Sequence, residues 1–195
     1  MSLSPIDRTR SALLVMDAQR SILDYLPDQG RAVIAAIAPL VQAARAASMP
    51  ILYVTVGFRP GFPEAHPRNK GFAALRASGR AFPEVPGSDI PEILAPRAGE
   101  PLVVKRRVSA FHGTELEVLL RAQSIDTLIL TGISTSGVVL STVRHAADAD
   151  YGIVVVEDAC TDADPEVHRV LTTKVFPRQC TVVSSAELAS TLANA

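Results

Sequence analysis

A chain of 195 residues with 48% hydrophobic residues, 20% charged residues and a formal net charge of -1 can bury one sizeable core. It has neither the basic field that nucleic acid demands nor the highly charged, apolar-poor composition of a disordered chain. No apolar run approaches the roughly 18 residues of a bilayer span, and the opening MSLSPIDRTRSALLVMD lacks the basic-then-apolar layout of a secretory leader. The expectation is one cytoplasmic domain over residues 1–195, with a small molecule as partner, no nucleic acid and no membrane.

The first apolar run is ALLVMD (12–17). After it, AVIAAIAPLVQAARAA (32–47) carries apolar positions at helical spacing, and ILYVTV (51–56) returns to a continuous apolar run. Residues 57–100 break this rhythm: the stretch is too long and too punctuated by proline and glycine for an ordinary connection, so it reads as a binding or lid segment or a subunit contact. PLVVK (101–105) resumes the pattern, and Thr114 with Glu117 reads as a capping box. DTLILTG (126–132) leads through a turn at 132–135 into a helix predicted to start near Ser136. GIVVVED (152–158) follows, then Asp164 with Pro165 as an N-cap and first helical residue. QCTVVS (179–184) ends in a second capping box, Ser184 with Glu187. Runs dense in Leu, Ile and Val suit strands covered on both faces. Their alternation with helices predicts an α/β fold: a doubly wound, six-stranded parallel sheet with helices on both faces, a Rossmann-like three-layer arrangement. Ligands of such sheets bind beyond the carboxyl ends of the strands, near the topological switch point.

Three of these strand ends carry polar residues: Asp17 with Gln19, Lys105, and the stretch Ser134 to Gly137. Each has an ordinary explanation, an Asp as helix N-cap or a Lys as surface charge. Together they suggest a carboxylate and ammonium pair able to shift each other's proton affinity. The amides of Gly137 and Val138, at a helix start, would favour a substrate oxygen or anion. A serine nucleophile fits poorly, because Ser136 stands where the G-x-S-x-G elbow requires its second glycine, and His145 and His168 fall inside helices. Cys160 and Cys180 form no C-x-x-C pair and read as buried free thiols.

Three separated blocks resemble the isochorismatase-like hydrolases, also called the cysteine hydrolase superfamily. ALLVMDAQ resembles the family's A-L-L-V-I-D-M-Q opening, and VVKRRVSAFHGTELEVLL its V-x-K-x-x-x-S-A-F-x-x-T-x-L segment. TGISTSGVVLSTVRHAADADYGIVVVEDACTD resembles T-G-x-x-T-x-x-C-V-x-x-T-A-R-D-A followed by a strand and E-D-A-C. The amidase branch uses Asp, Lys and Cys, which map onto Asp17, Lys105 and position 138, where this chain has valine. An isopropyl group cannot form the thioester of that branch. The resemblance keeps Cys160 outside the catalytic set. No metal or cofactor is expected, since Glu64 and His66 are too thin a ligand set for zinc.

Isochorismatases also lack the cysteine. Their resemblance implies that Asp17 protonates a vinyl ether, with Lys105 as its electrostatic partner and water completing hydrolysis. A nearby ammonium lowers a carboxyl pKa, so burial would have to dominate for Asp17 to serve as an acid. An anionic substrate would be met by Arg59 and Arg68, unless these are solvated loop charges, with Gln19, Ser134, Gly137 and Val138 around it and Phe58, Phe111 and Ile133 as apolar walls, although core packing explains Phe111 equally well. The family's habit implies a homo-oligomer, a dimer or higher. The expected function is a cysteine-free hydrolase of the isochorismatase family. A binding or regulatory homologue without catalysis stays open beside it, as does an amidase using a directly activated water.

Overall fold

A computed structural model describes residues 6–193, so the first five residues of the leader reading lie outside the described residues. The six apolar runs form the strands β1 (Ser11–Met16), β2 (Ile51–Val56), β3 (Leu102–Lys105), β4 (Thr127–Ile133), β5 (Gly152–Thr161) and β6 (Thr181–Val183). They make one sheet in the order β3-β2-β1-β4-β5-β6, and every pairing is parallel. The chain walks outward from β1 through β2 to β3, then returns to the other side of β1 to lay down β4. The gap between β1 and β4 is therefore the topological switch point.

The two-residue period of β1 shows why the sheet needs cover on both faces. Leu13 and Val15 face one core, shared with the long helix, while Ala12, Leu14 and Met16 face the other. After the one-turn helix α1 (Arg20–Leu23), the first face carries α2 (Pro27–Ala46) and α7 (Ser185–Ala193), which supply Val33, Ile37, Leu40, Val41, Leu188 and Leu192. On the second lie α4 (Leu116–Ala122) and α5 (Leu140–Asp148), with Leu116, Leu120, Val143 and Ala146. No helix of the described residues is long and apolar enough to cross a membrane.

Several local expectations change in detail. α2 begins five residues before the apolar stripe, because Pro27 occupies the helix start, where its missing N–H costs nothing. Ser184 and Glu187 form their reciprocal capping box, and Asp164 caps α6 (Pro165–Val170) through the Glu166 N–H. The Thr114 box is only half made. Thr114 Oγ1 accepts from Leu116 N–H at 3.3 Å, while Glu117 turns to Arg121 on its own helix. The helix expected from Ser136 starts later: Thr135–Val139 form a wider π-type turn, interrupted by Gly137 (φ -95°, ψ -105°), before α5 begins. Strand β5 runs past the apolar stretch to Thr161, because a register shift lets Cys160 and Thr161 pair with Gly132 and Ile133.

The proline-rich stretch 57–100 holds a helix, α3 (Lys70–Ala77), and a 3-10 turn at Glu92–Leu94. Its far end is tied down by Arg45, whose guanidinium meets the Glu100 carboxylate through two hydrogen bonds of 2.8 Å, both side chains being largely buried.

One glycine is dictated by the switch point. Gly132 has φ +129°, and a Cβ there would lie 1.9 Å from the Met16 carbonyl oxygen. Gly61 also has positive φ (+80°) but open space around it. Gly132→Ala is expected to lower stability by about 3 kcal/mol or more, and Gly61→Ala by about 1 kcal/mol. Urea denaturation of the two variants side by side separates backbone crowding from the cost of the left-handed region.

Candidate active site

Asp17 is the first residue beyond β1 and sits in the left-handed region (φ 55°), with its N–H donating to the Val54 carbonyl at 2.8 Å. Lys105 is the last residue of β3, one strand beyond β2. Their side chains meet across the end of β2, Lys105 Nζ to Asp17 Oδ2 at 2.8 Å, with only 4% and 6% of each side chain exposed. Nζ also donates to the Arg107 carbonyl at 3.2 Å. Asp17 Oδ1, by contrast, is buried with no hydrogen-bond partner. Burial pushes the Asp17 carboxyl above its ordinary value, and the Lys105 ammonium opposes this without cancelling it.

A cavity of about 370 Å³ opens over this pair at the carboxyl ends of the strands. Its floor is Asp17, Val56, Lys105, Ile133 and Ser134. One side is Gly137 and Val138 of the π-type turn, with Asp162 beyond β5. Ile22, Tyr25 and Leu26 close it from the chain between β1 and α2, and Phe72, Leu75, Arg80 and Phe82 close it from the long segment. Of the residues expected at a site, Asp17, Lys105, Ile133, Ser134, Gly137 and Val138 therefore line one cavity.

The others are placed elsewhere. Gln19 is buried and its amide is consumed: Oε1 accepts from Val56 N–H at 2.8 Å, while Nε2 donates to the Val56 carbonyl (3.2 Å) and to Asp89 (3.2 and 3.3 Å). It clamps the ends of β1 and β2 to the long segment and does not face the cavity. Phe111 stacks on His145 with ring centroids 4.5 Å apart, inside the core under α4 and α5. Phe58 and Arg59 line a neighbouring cleft, where Phe58 packs on Phe62 and Arg59 pairs with Glu64 at 2.7 Å. Arg68 is exposed beside His66, whose Nδ1 accepts from the Arg68 N–H. The Gly137 N–H is not a free donor either, since it bonds to the Ser134 carbonyl at 3.1 Å. Gly137 is glycine for space: a Cβ would stand 2.7 Å from Ser134 Oγ.

Tyr25, Phe72, Arg80, Phe82 and Asp162 were missed by sequence reasoning. The long segment carried a signal as a binding element, but its lack of period hid which side chains turn inward. Asp162 had no signal beyond its place after β5. Its Oδ2 accepts from Ser136 N–H at 2.7 Å, holding the π-type turn against the strand.

Neither cysteine lines the cavity. Cys160 lies in the core with its thiol toward the Leu130 carbonyl, and burial pushes the thiols of Cys160 and Cys180 up to about 12. Glu64, once weighed as a metal ligand, accepts from both Arg59 and Arg106. Among the described residues no group of three His, Cys, Asp or Glu side chains is arranged to hold a metal ion.

The buried Asp–Lys pair at the carboxyl ends of a parallel sheet invites comparison with known proteins. A family model described as the isochorismatase domain matches residues 11–187. An uncharacterized isochorismatase family protein of Escherichia coli, YecD, is 33% identical over 184 residues, 93% of this chain and 96% of that protein. Ureidoacrylate amidohydrolase RutB of Methylobacterium radiotolerans is 32% identical over 187 residues, covering 84% of this chain and 72% of that protein. The solved structure of a cysteine hydrolase from Pseudomonas syringae superposes with a TM-score of 0.88 at 24% identity, covering 99% and 97% of the two chains, a likeness of fold. With a matched domain spanning nearly all of the sheet and its strand-end residues, the chain belongs to the isochorismatase family.

Proposed function

We propose that this protein is a hydrolase that works without a cysteine nucleophile, using Asp17 as general acid and Lys105 as its electrostatic partner. The observation that carries the reading is Asp17 Oδ1: a carboxyl oxygen buried beneath a cavity, unpartnered, on a group whose proton affinity burial has raised. A protonated carboxyl needs an acceptor there, and a substrate atom supplies it. For a vinyl ether, Asp17 gives its proton to the terminal alkene carbon, leaving an oxocarbenium ion. Water adds to the cationic carbon and loses a proton, and the hemiketal collapses to a carbonyl compound and an alcohol. Lys105, fixed at 2.8 Å, stabilises the Asp17 carboxylate while it waits for the returning proton.

Val138 supports the cysteine-free route. It stands at the position that corresponds to the family's nucleophile and presents only an apolar surface to the cavity, 2% exposed. The same residue favours a second reading, a small-molecule-binding homologue that has lost turnover. Amide hydrolysis of the kind named for RutB would require water to be activated directly, since no thiol lines the cavity.

A panel of vinyl ethers, amides and acid derivatives, assayed for product with the wild type, tests the reading. Asp17→Asn and Lys105→Ala are each expected to lower kcat/KM at least about a hundredfold, with the double variant little worse than either single one. Mild, additive losses refute the pair. Saturable thermal stabilisation by panel members with no product identifies the binding homologue instead.

The pH dependence has a definite sign. An acid works while protonated, so log kcat/KM should fall as pH rises through the Asp17 pKa, with the fall displaced above the ordinary carboxylate value of 3.8. A rate that rises over that interval would make Asp17 a base. The folded chain holds this proton more tightly than the unfolded chain. The Asp17 contribution to stability is therefore fully present below the ordinary carboxylate pKa and is lost as pH rises through the raised one.

Iodoacetamide labelling at neutral pH should leave turnover intact, because both thiols are held near 12 and neither touches the cavity. Stoichiometric inactivation of folded protein on labelling Cys160 would overturn its structural role.

A further inference from the structure

The charged groups lining the cavity over Asp17 are not equally occupied. Lys105 is engaged by Asp17 and by the Arg107 carbonyl. Asp162 accepts from the N–H groups of Ser136 and Asp164. Arg80 stands apart: no acidic side chain lies within ion-pair distance of it among the described residues, and its Nε is buried without a hydrogen-bond partner. Its guanidinium carbon lies 3.6 Å from the centroid of the Tyr25 ring. Stacking of that kind occupies the flat face of the guanidinium and leaves its N–H edge free. A buried, unsatisfied N–H on a permanent cation is costly, and a planar anion meeting that edge would satisfy it.

We propose that Arg80 is the anion receptor of this cavity and that the ligand is a small organic acid, a carboxylate carried on an apolar body that rests against Phe72, Phe82 and Ile133. This rests on the reading of the cavity as a substrate site. The lining offers one uncommitted cation, which suits a monoanion better than a phosphate dianion. The arginines that the sequence suggested are committed elsewhere, Arg59 to Glu64 in the adjoining cleft and Arg68 to the exposed loop around His66.

Equilibrium binding of benzoate and of its neutral isostere benzamide to the intact protein tests this directly. Benzoate is expected to bind at least about tenfold more tightly than benzamide, with a preference that weakens as salt is added. Arg80→Gln and Arg80→Ala should bring the two ligands to near equality through loss of benzoate affinity, and Arg80→Lys should keep part of the preference. Far-UV circular dichroism and the Tm of each variant control for folding. Three results overturn the proposal: no saturable benzoate binding, equal binding of the two probes by the wild type, or a preference that survives Arg80→Gln. Arg80 also borders the adjoining cleft, so loss of the preference in Arg59→Ala, with or without its loss in Arg80→Gln, would move the anion to that cleft and equally overturn it. The two readings fail separately. Asp17-dependent turnover with no preference for anions removes Arg80 and keeps the acid, whereas charge-selective binding without turnover removes the acid and keeps Arg80.

Discussion

A carboxyl group and an ammonium held 2.8 Å apart, both nearly out of water, form the contact around which the rest of the site is arranged. Taking two such charges out of solvent costs several kcal/mol each before their attraction is counted. Such a pair survives only where the backbone leaves it little choice. Here β2 lies between the two strands that carry it, so the pair bridges the end of β2. Gln19 ties β1 to β2 through both hydrogen-bonding groups of Val56, which fixes the strand ends relative to each other. The close approach of Gly132 to Met16 does the same on the β4 side. Burial then acts on the carboxyl, and one of its oxygens is left to whatever enters the cavity.

The long segment supplies what the sheet cannot. A parallel sheet presents only its strand ends to a ligand, and an outer wall has to come from a connection. In this chain the connection is anchored at Asp89, which accepts from Gln19 and Ser21, and at Glu100, held by Arg45. Between its start and these anchors, Phe58 packs against Phe62, Phe72 and Phe82 with centroids 4.7, 5.2 and 5.8 Å apart. This aromatic cluster gives the segment a core of its own and turns Phe72, Phe82 and Arg80 toward the pair. Gln19 thus joins the strand that carries Asp17 to the segment that carries Arg80.

Membership of the isochorismatase family accounts for the sheet, and a fold by itself names no reaction. Valine at position 138 removes the possibility of a thioester there, and the turn around it is largely self-satisfied, with Gly137 N–H on Ser134 and Ser136 N–H on Asp162. What remains in the cavity lining is a buried carboxyl, its cationic partner and the Arg80 guanidinium, the groups on which the proposed acid chemistry rests. That inventory favours protonation chemistry on an anionic molecule over nucleophilic attack on an amide.

The sequence alone determined the elements that depend on neighbours along the chain. Six short runs dense in Leu, Ile and Val suited strands covered on both faces. Ser184 with Glu187, and Asp164 with Pro165, announced helix starts because capping is completed within four residues. Asp17 and Lys105 were visible for a related reason: each sits at the end of such a run, and strands of a parallel sheet deliver their ends to one side. Tertiary structure alone decided which side chains of the long segment face inward, that Gln19 is a clamp and Phe111 a core ring, and that the turn at Thr135–Val139 spends the Gly137 amide on itself. Those outcomes rest on contacts between residues tens of positions apart, Gln19 with Asp89 and Tyr25 with Arg80 among them. A stretch without period carries no mark of the partner it will meet, because that partner is set by how the rest of the chain packs.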